Sequence, residues 1–132
     1  MTGRLEEILS EIPYGFVERV GTVLEHYIGK DKAVSKAQLM DSLKLLGFGN
    51  GLSPTTFERQ VRIAIVALRK RGALICSSSG DGGYYVARTR DEYDEFVERE
   101  YKGKIQDMQE TVDAMNAKAR DRWGEGIQMG LF

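Results

Sequence analysis

Residues 53 to 88, SPTTFERQVRIAIVALRKRGALICSSSGDGGYYVAR, determine the fold, because their pattern predicts one helix followed by one hairpin. Ser53 is a preferred residue just before a helix, and proline at position 54 suits the first helical position because no N–H is needed there. Gly72 is a typical helix terminator, so the sequence predicts a helix over about 53–71. Apolar residues at helical spacing predict its core face: Phe57, Val61, Ala64, Ile65 and Leu68.

Two short runs of β-prone residues, 74–77 and 84–86, come directly after this helix. The six residues between them are Ser, Gly and Asp, which tolerate the backbone conformations of tight turns. This pattern predicts an antiparallel hairpin. Cys76 lies on its first strand, where burial would leave the thiol unreactive.

Two further helices are predicted upstream. The first covers 14–28, with Phe16, Val20, Val23, Leu24 and Tyr27 on its apolar face, and a short turn over 5–12 precedes Pro13. The second covers 35–46, because Ser35 and Gln38 have the spacing of a reciprocal N-terminal cap and Gly47 follows the last apolar residue. Its buried residues are predicted to be Leu39, Leu43 and Leu46. The fold class is therefore mainly α with a small β-hairpin.

The order of three helices and a hairpin, over about residues 14–88, resembles the winged helix-turn-helix superfamily. This resemblance implies that the third helix enters the DNA major groove and that the hairpin, or wing, lies along the backbone or minor groove. More narrowly, the layout resembles small winged-helix proteins encoded by bacteriophages and prophages. That likeness rests on Gly83-Tyr84-Tyr85, on Asp91-Glu92-Tyr93 and on Leu131-Phe132.

Charge is unevenly distributed along the chain, although the net charge is only −1. Residues 30–75 contain nine basic and three acidic side chains, whereas residues 91–132 contain six basic and eleven acidic ones. Long donors on the polar face of the third helix suit base edges and phosphates. The candidate DNA-binding residues are Thr55, Thr56, Arg59, Gln60, Arg62, Arg69 and Lys70. A solvated charged surface is the alternative reading, and the wing tip has no basic residue to support DNA binding.

A long helix is predicted from Thr89, whose spacing to Glu92 is that of a second capping box, to about Arg122. Its later half has apolar residues at alternating spacings of four and three, the pattern of a coiled-coil seam. This seam comprises Tyr101, Ile105, Met108, Val112, Met115 and Ala119, and it predicts a homodimer. The alternative is an amphipathic helix that packs back on its own domain.

The last residues, GIQMGLF, follow two glycines that interrupt the helix. They resemble the bacterial sliding-clamp-binding peptide at Gln128, Met129, Leu131 and Phe132, although Gly130 replaces the commoner Ser or Asp of that motif. The resemblance implies that Leu131 and Phe132 fill an apolar pocket and that the Gln128 amide anchors the other end. One alternative is that Ile127, Leu131 and Phe132 fold back on the domain, and another is that the tail has no role.

Residues for catalysis or metal binding are scarce. His26 is the single histidine and lies between predicted core residues, and no Cys/His cluster has metal-ligand spacing. We therefore predict no enzyme, cofactor or metal. The chain shows no signal peptide and no long apolar run, which predicts a cytoplasmic protein without a membrane partner.

These observations predict four segments: an N-terminal segment over 1–13, a winged-helix domain over 14–90, a long helix over 91–123 and a tail over 124–132. The predicted function is non-enzymatic binding of double-stranded DNA in phage or bacterial replication, with the sliding clamp as a partner. One alternative is a protein-interaction adaptor that uses the winged helix as a scaffold, which the sequence pI of 5.9 favours. Another is a transcriptional regulator whose long helix serves only for dimerisation.

Overall fold

The computed structural model describes residues 4–80 and 82–124, and these are mainly helical with one two-stranded hairpin and a long C-terminal helix. The chain divides into two units, Met1–Phe96 and Val97–Phe132. The mainly helical class, the hairpin and the long helix are confirmed. The elements of the first unit are α1 (Arg4–Leu9), α2 (Phe16–Leu24), a 3₁₀ turn (Lys30–Lys32), α3 (Lys36–Leu45), α4 (Pro54–Lys70), β1 (Ile75–Ser77), β2 (Tyr84–Val86) and the start of the long helix.

The core of the first unit is formed mainly by α2, α3, α4 and the hairpin. Phe16, at the start of α2, is fully buried and lies edge-on to Phe48 with ring centroids 5.2 Å apart. The ring centroids of Phe57, on α4, and Phe16 are 6.0 Å apart, so packed aromatic rings connect α2 and α4. The other buried residues on these helices are Val17, Val20, Leu24, Leu39, Leu43, Val61, Ala64, Ile65 and Ala67.

Local signals set the ends of α3 and α4. Ser35 accepts a hydrogen bond from the backbone of Gln38, whose side chain accepts one in return, so the predicted capping box is confirmed. Ser53 likewise caps α4, with Pro54 at its first position. Gly47 and Gly72 adopt φ values of 96° and 98°, which favour glycine and end α3 and α4 with hydrogen bonds back into the last turn.

Helix α2 ends at Leu24, so the prediction that it continues to residue 28 was wrong. Residues 27–34 instead run beside β2. The backbone N–H of Gly29 donates to the carbonyl of Val86 at 2.8 Å, and Val34 and Tyr84 exchange two hydrogen bonds of 2.8 Å each. These bridges extend the edge of the hairpin, whose own register pairs Cys76 with Tyr85. Tertiary pairing thus outweighs the helical periodicity of this segment.

One predicted burial turns out differently. Leu46 is 46% exposed because it is the C-terminal cap of α3, where the chain leaves the helix before Gly47. His26 is exposed, since it follows the early end of α2. Cys76 is fully buried, as predicted for the first strand.

The long C-terminal helix runs without interruption from Arg90 to Trp123. It consists of α5 (Arg90–Val97), a π-helical turn (Glu98–Lys102) and α6 (Gly103–Trp123). Phe96 in α5 is buried and belongs to the first unit, whereas α6 has no buried residue. Among the helices in the described part of the chain, none is long and apolar enough to cross a membrane.

Candidate nucleic-acid interface

Helix α4 has two opposite faces. One is fixed in the core, and the other is open to solvent along a row of residues at helical spacing. This exposed row consists of Thr55, Arg59, Arg62, Val66 and Lys70. A helix of 17 residues is about 25 Å long, so the row extends over several turns.

Three cations on this face have no partner within residues 4–80 and 82–124. The side chains of Arg59, Arg62 and Lys70 are exposed and form no hydrogen bond or ion pair with the described residues. Other basic residues nearby are paired: Arg71 lies 3.1 Å from the carboxylate of Glu18. The structure therefore leaves the donors of these three side chains available for an external anion. We call Arg59, Arg62 and Lys70 the basic face.

Thr55, Thr56 and Gln60 complete the first turns of α4. Thr55 is exposed at the helix start. Thr56 takes part in the N-terminal cap, because its backbone N–H donates to Ser53 Oγ at 3.2 Å and its hydroxyl accepts from the same oxygen at 2.9 Å. Gln60 is half-buried at the edge of the exposed row. Of these residues, Thr55 is the one most open to a ligand.

Arg69 has a different environment from the basic face. Its Nε donates to the backbone carbonyl of Ile75 at 2.8 Å, and its guanidinium lies 4.9 Å from the centre of the Phe96 ring. These contacts join the end of α4 to the first strand of the hairpin and to α5. The helical spacing indicated a DNA contact here, but the geometry assigns Arg69 a packing role within the first unit.

The neighbouring helix α3 brings two lysines close to α4 that the sequence analysis did not place there. Lys36, at the start of α3, forms a 3.2 Å ion pair with Glu58 on α4, and Lys44 lies 6.0 Å from the centre of the Phe57 ring. Both contacts bring lysines of α3 alongside the N-terminal half of α4. The early position of Lys36 in a capped helix was visible in the sequence, but its approach to α4 depends on tertiary packing.

The loop of the hairpin lies near the same end of α4. A Cβ atom built on Gly82 would lie 3.2 Å from Cε of Lys36, which is itself paired with Glu58. The loop, the start of α3 and the second turn of α4 therefore meet around one lysine side chain. The hairpin loop contains no basic residue, so it could offer only hydroxyl and backbone N–H donors to an anion.

Glu92 connects α5 to the segment that runs beside β2. Its carboxylate accepts hydrogen bonds from the backbone N–H groups of Lys30, at 3.0 Å, and Arg88, at 2.8 Å. These two donors hold the pKa of Glu92 below its ordinary value. The backbone N–H of Glu92 donates to Thr89 Oγ1 at 3.2 Å, so the hydroxyl half of the predicted second capping box is present.

The other predicted sites lie elsewhere in the chain. The six seam residues occupy the π-helical turn and α6, within the second unit. The predicted clamp-binding residues, Gln128, Met129, Leu131 and Phe132, lie outside the described residues. Within the described part of the chain, no group of three His, Cys, Asp or Glu side chains could hold a metal ion.

Comparison of the chain with protein-family models, with curated proteins and with solved structures found no match. The geometry of α4 and its surroundings is therefore the basis on which a function is assigned.

Proposed function

We propose that this chain is a cytoplasmic, non-enzymatic winged-helix protein that binds double-stranded DNA through α4. The arrangement of its elements supports this proposal. Three helices, α2 to α4, precede an antiparallel hairpin, and residues 27–34 run beside the second strand of that hairpin. In a winged helix, the helix before the hairpin is the one that inserts into the major groove.

The basic face of α4 is the single observation that carries the proposal. Its guanidinium groups can pair with guanine edges or with phosphates, and its lysine can pair with phosphates. The buried side of α4 is fixed by Phe57, Val61 and Ile65, so the exposed side is presented on a rigid support. Exposed arginines on a rigid helix, with no ion pair to residues 4–80 or 82–124, are suited to reading a groove.

A role in phage or bacterial DNA replication is the further part of the proposal. It is supported by the resemblance of residues 128–132 to the sliding-clamp-binding peptide. DNA binding by α4 and clamp binding by this peptide would place the protein on duplex DNA next to the replication machinery. The two activities involve separate residues, so each can be removed without the other.

Single substitutions on the basic face test DNA binding. Arg59→Ala and Arg62→Ala should each weaken binding to a mixed-sequence DNA duplex. Each should also lower the slope of log affinity against log salt by about 1 if the arginine neutralises one phosphate. Removal of an arginine that binds a base should additionally cost about 1–3 kcal/mol on the preferred sequence. Fluorescence anisotropy of labelled duplex, titrated at several salt concentrations, measures both quantities.

Arg19→Ala is the matched control, because Arg19 is an exposed arginine on α2, outside α4. It removes the same charge and should leave the affinity and the salt slope nearly unchanged. Equal effects of all three substitutions would show that only overall charge matters. Absence of salt-dependent binding by the unaltered protein would contradict the DNA proposal and favour a protein-interaction adaptor.

A further inference from the structure

The second unit exposes a continuous apolar row on its helix. Ile105, Met108 and Met115 are 63%, 68% and 60% exposed, although their side chains are fully apolar or nearly so. They belong to the seam defined above, Tyr101, Ile105, Met108, Val112, Met115 and Ala119, which repeats with alternating spacings of four and three residues. Solvent exposure of so many large apolar groups in one line marks an interaction surface.

The other sides of α6 are mostly polar, and two pairs of their side chains are hydrogen-bonded within the helix. Gln106 donates to Glu110 at 3.2 Å, and Gln109 donates to Asp113 at 2.8 Å, each one turn apart. Residues 97–124 contain six acidic and six basic side chains, so two such helices side by side would not repel each other through net charge. The seam ends where Arg122 occupies the next position of the repeat.

We propose that the seam pairs with the seam of a second copy of this chain, with the two α6 helices parallel and in register. A repeat of 3.5 residues keeps a seam facing its partner along the whole length of two helices. The seam is self-complementary, because the apolar row of one copy meets the same row of the second copy. This inference concerns the second unit alone and does not depend on DNA binding by α4.

Residues beside the seam favour the parallel orientation. In the parallel pair, Lys104 faces Gln109 of the second copy, and Lys118 faces Trp123 of the second copy, whose ring can attract an ammonium group. In the antiparallel pair, Lys104 would face Lys118 of the second copy, and symmetry would repeat this contact. Like charges at flanking positions oppose that orientation.

The oligomeric state of the full chain tests the pairing. Sedimentation equilibrium should show reversible conversion between the chain mass of 14.8 kDa and twice that mass. Met115→Glu should raise the dimer dissociation constant at least about tenfold, because it places a charge inside the seam. Ala114→Glu is the matched control: the neighbouring residue is exposed, lies outside the seam and acquires the same charge, so its dissociation constant should stay within about twofold of the original.

Disulfide trapping tests the orientation. Ile105→Cys and Met115→Cys variants are mixed, one of them carrying a tag, and oxidised. The parallel pair should give only 105–105 and 115–115 disulfides, whereas the antiparallel pair would give 105–115 disulfides. Cys76 is buried, and the unaltered protein controls for its reaction. A protein that stays monomeric, equal effects of the two glutamate substitutions, or mixed disulfides would overturn the proposal.

Discussion

Arg69 and Lys70 are neighbours in the sequence but have different environments in the structure. Arg69 is half-buried and bonded to the Ile75 carbonyl, with the Phe96 ring beneath its guanidinium. Lys70 is exposed and belongs to the basic face. The helical spacing placed both among the DNA-binding residues, because a sequence pattern gives the direction of a side chain but not what other segments bring to it.

Substitution of these two residues by methionine should separate stability from DNA binding. Arg69→Met should lower the free energy of unfolding by about 1–3 kcal/mol, because it removes a charged donor and a cation–π contact, and should leave the DNA affinity of the folded protein unchanged. Lys70→Met should alter stability by less than about 0.5 kcal/mol and weaken DNA binding. Urea unfolding and anisotropy measure the two effects, and a weaker DNA affinity in folded Arg69→Met would contradict the packing role.

The ends of the elements show which parts of the fold follow from local sequence. Both ends of α3 and the start of α4 could be predicted from signals that act within a few residues. These signals are Ser35 with Gln38, Gly47, and Ser53 with Pro54. The run of residues 27–34 beside β2 was not predicted. Its hydrogen bonds go to residues about fifty or more positions later, and apolar spacing near Tyr27 is compatible with helix as well.

The same distinction applies to the candidate interface. The exposure of Arg59, Arg62 and Lys70 follows from the period of one helix, so the sequence alone could place them on a common face. The proximity of Lys36 to α4 depends on how α3 packs, and that packing is encoded by the whole core. Local periodicity therefore defines the face, and tertiary contacts define what surrounds it.

The link between α5 and the 3₁₀ turn should depend on pH through Glu92. The pKa of this carboxyl is lowered in the folded protein by the N–H donors of Lys30 and Arg88, so its stabilising contribution is fully present above its pKa in the unfolded chain. The contribution is lost as the pH falls through the lower, folded-state pKa. Glu92→Gln should therefore be less stable than the unaltered protein at neutral pH, and the difference should shrink in acid.

Urea unfolding at a series of pH values measures this difference. Glu25→Gln is the control, because Glu25 is exposed at the end of α2 and substitution there removes the same charge. Its stability should stay close to that of the unaltered protein across the series. If Glu92→Gln lowers the free energy of unfolding by the same amount at every pH, the ionised carboxylate is not what holds the two segments together.

The basic face and the seam lie in different units of the protein, so the partners proposed for them would bind different residues. The first unit carries the basic face of α4, and the second carries the seam, which lies on different residues of the chain. Pairing through the seam would bring two copies of α4 and two copies of residues 128–132 into one assembly. Two linked binding elements gain effective concentration only when the geometry allows both to engage.

Binding to a bacterial sliding clamp tests this organisation directly. The full chain should bind with a dissociation constant on the order of micromolar, and a version that ends at Gly126 should not bind. Leu131→Ala with Phe132→Ala should reproduce the truncation, whereas Ile127→Ala, outside the motif, should have little effect. If both tails of a dimer engage, Met115→Glu should weaken clamp binding about 10-fold or more while leaving the peptide intact. Surface plasmon resonance measures these affinities. Equal binding by the full and truncated chains would contradict the clamp proposal. It would not bear on DNA binding by α4 or on pairing through the seam, which are tested separately.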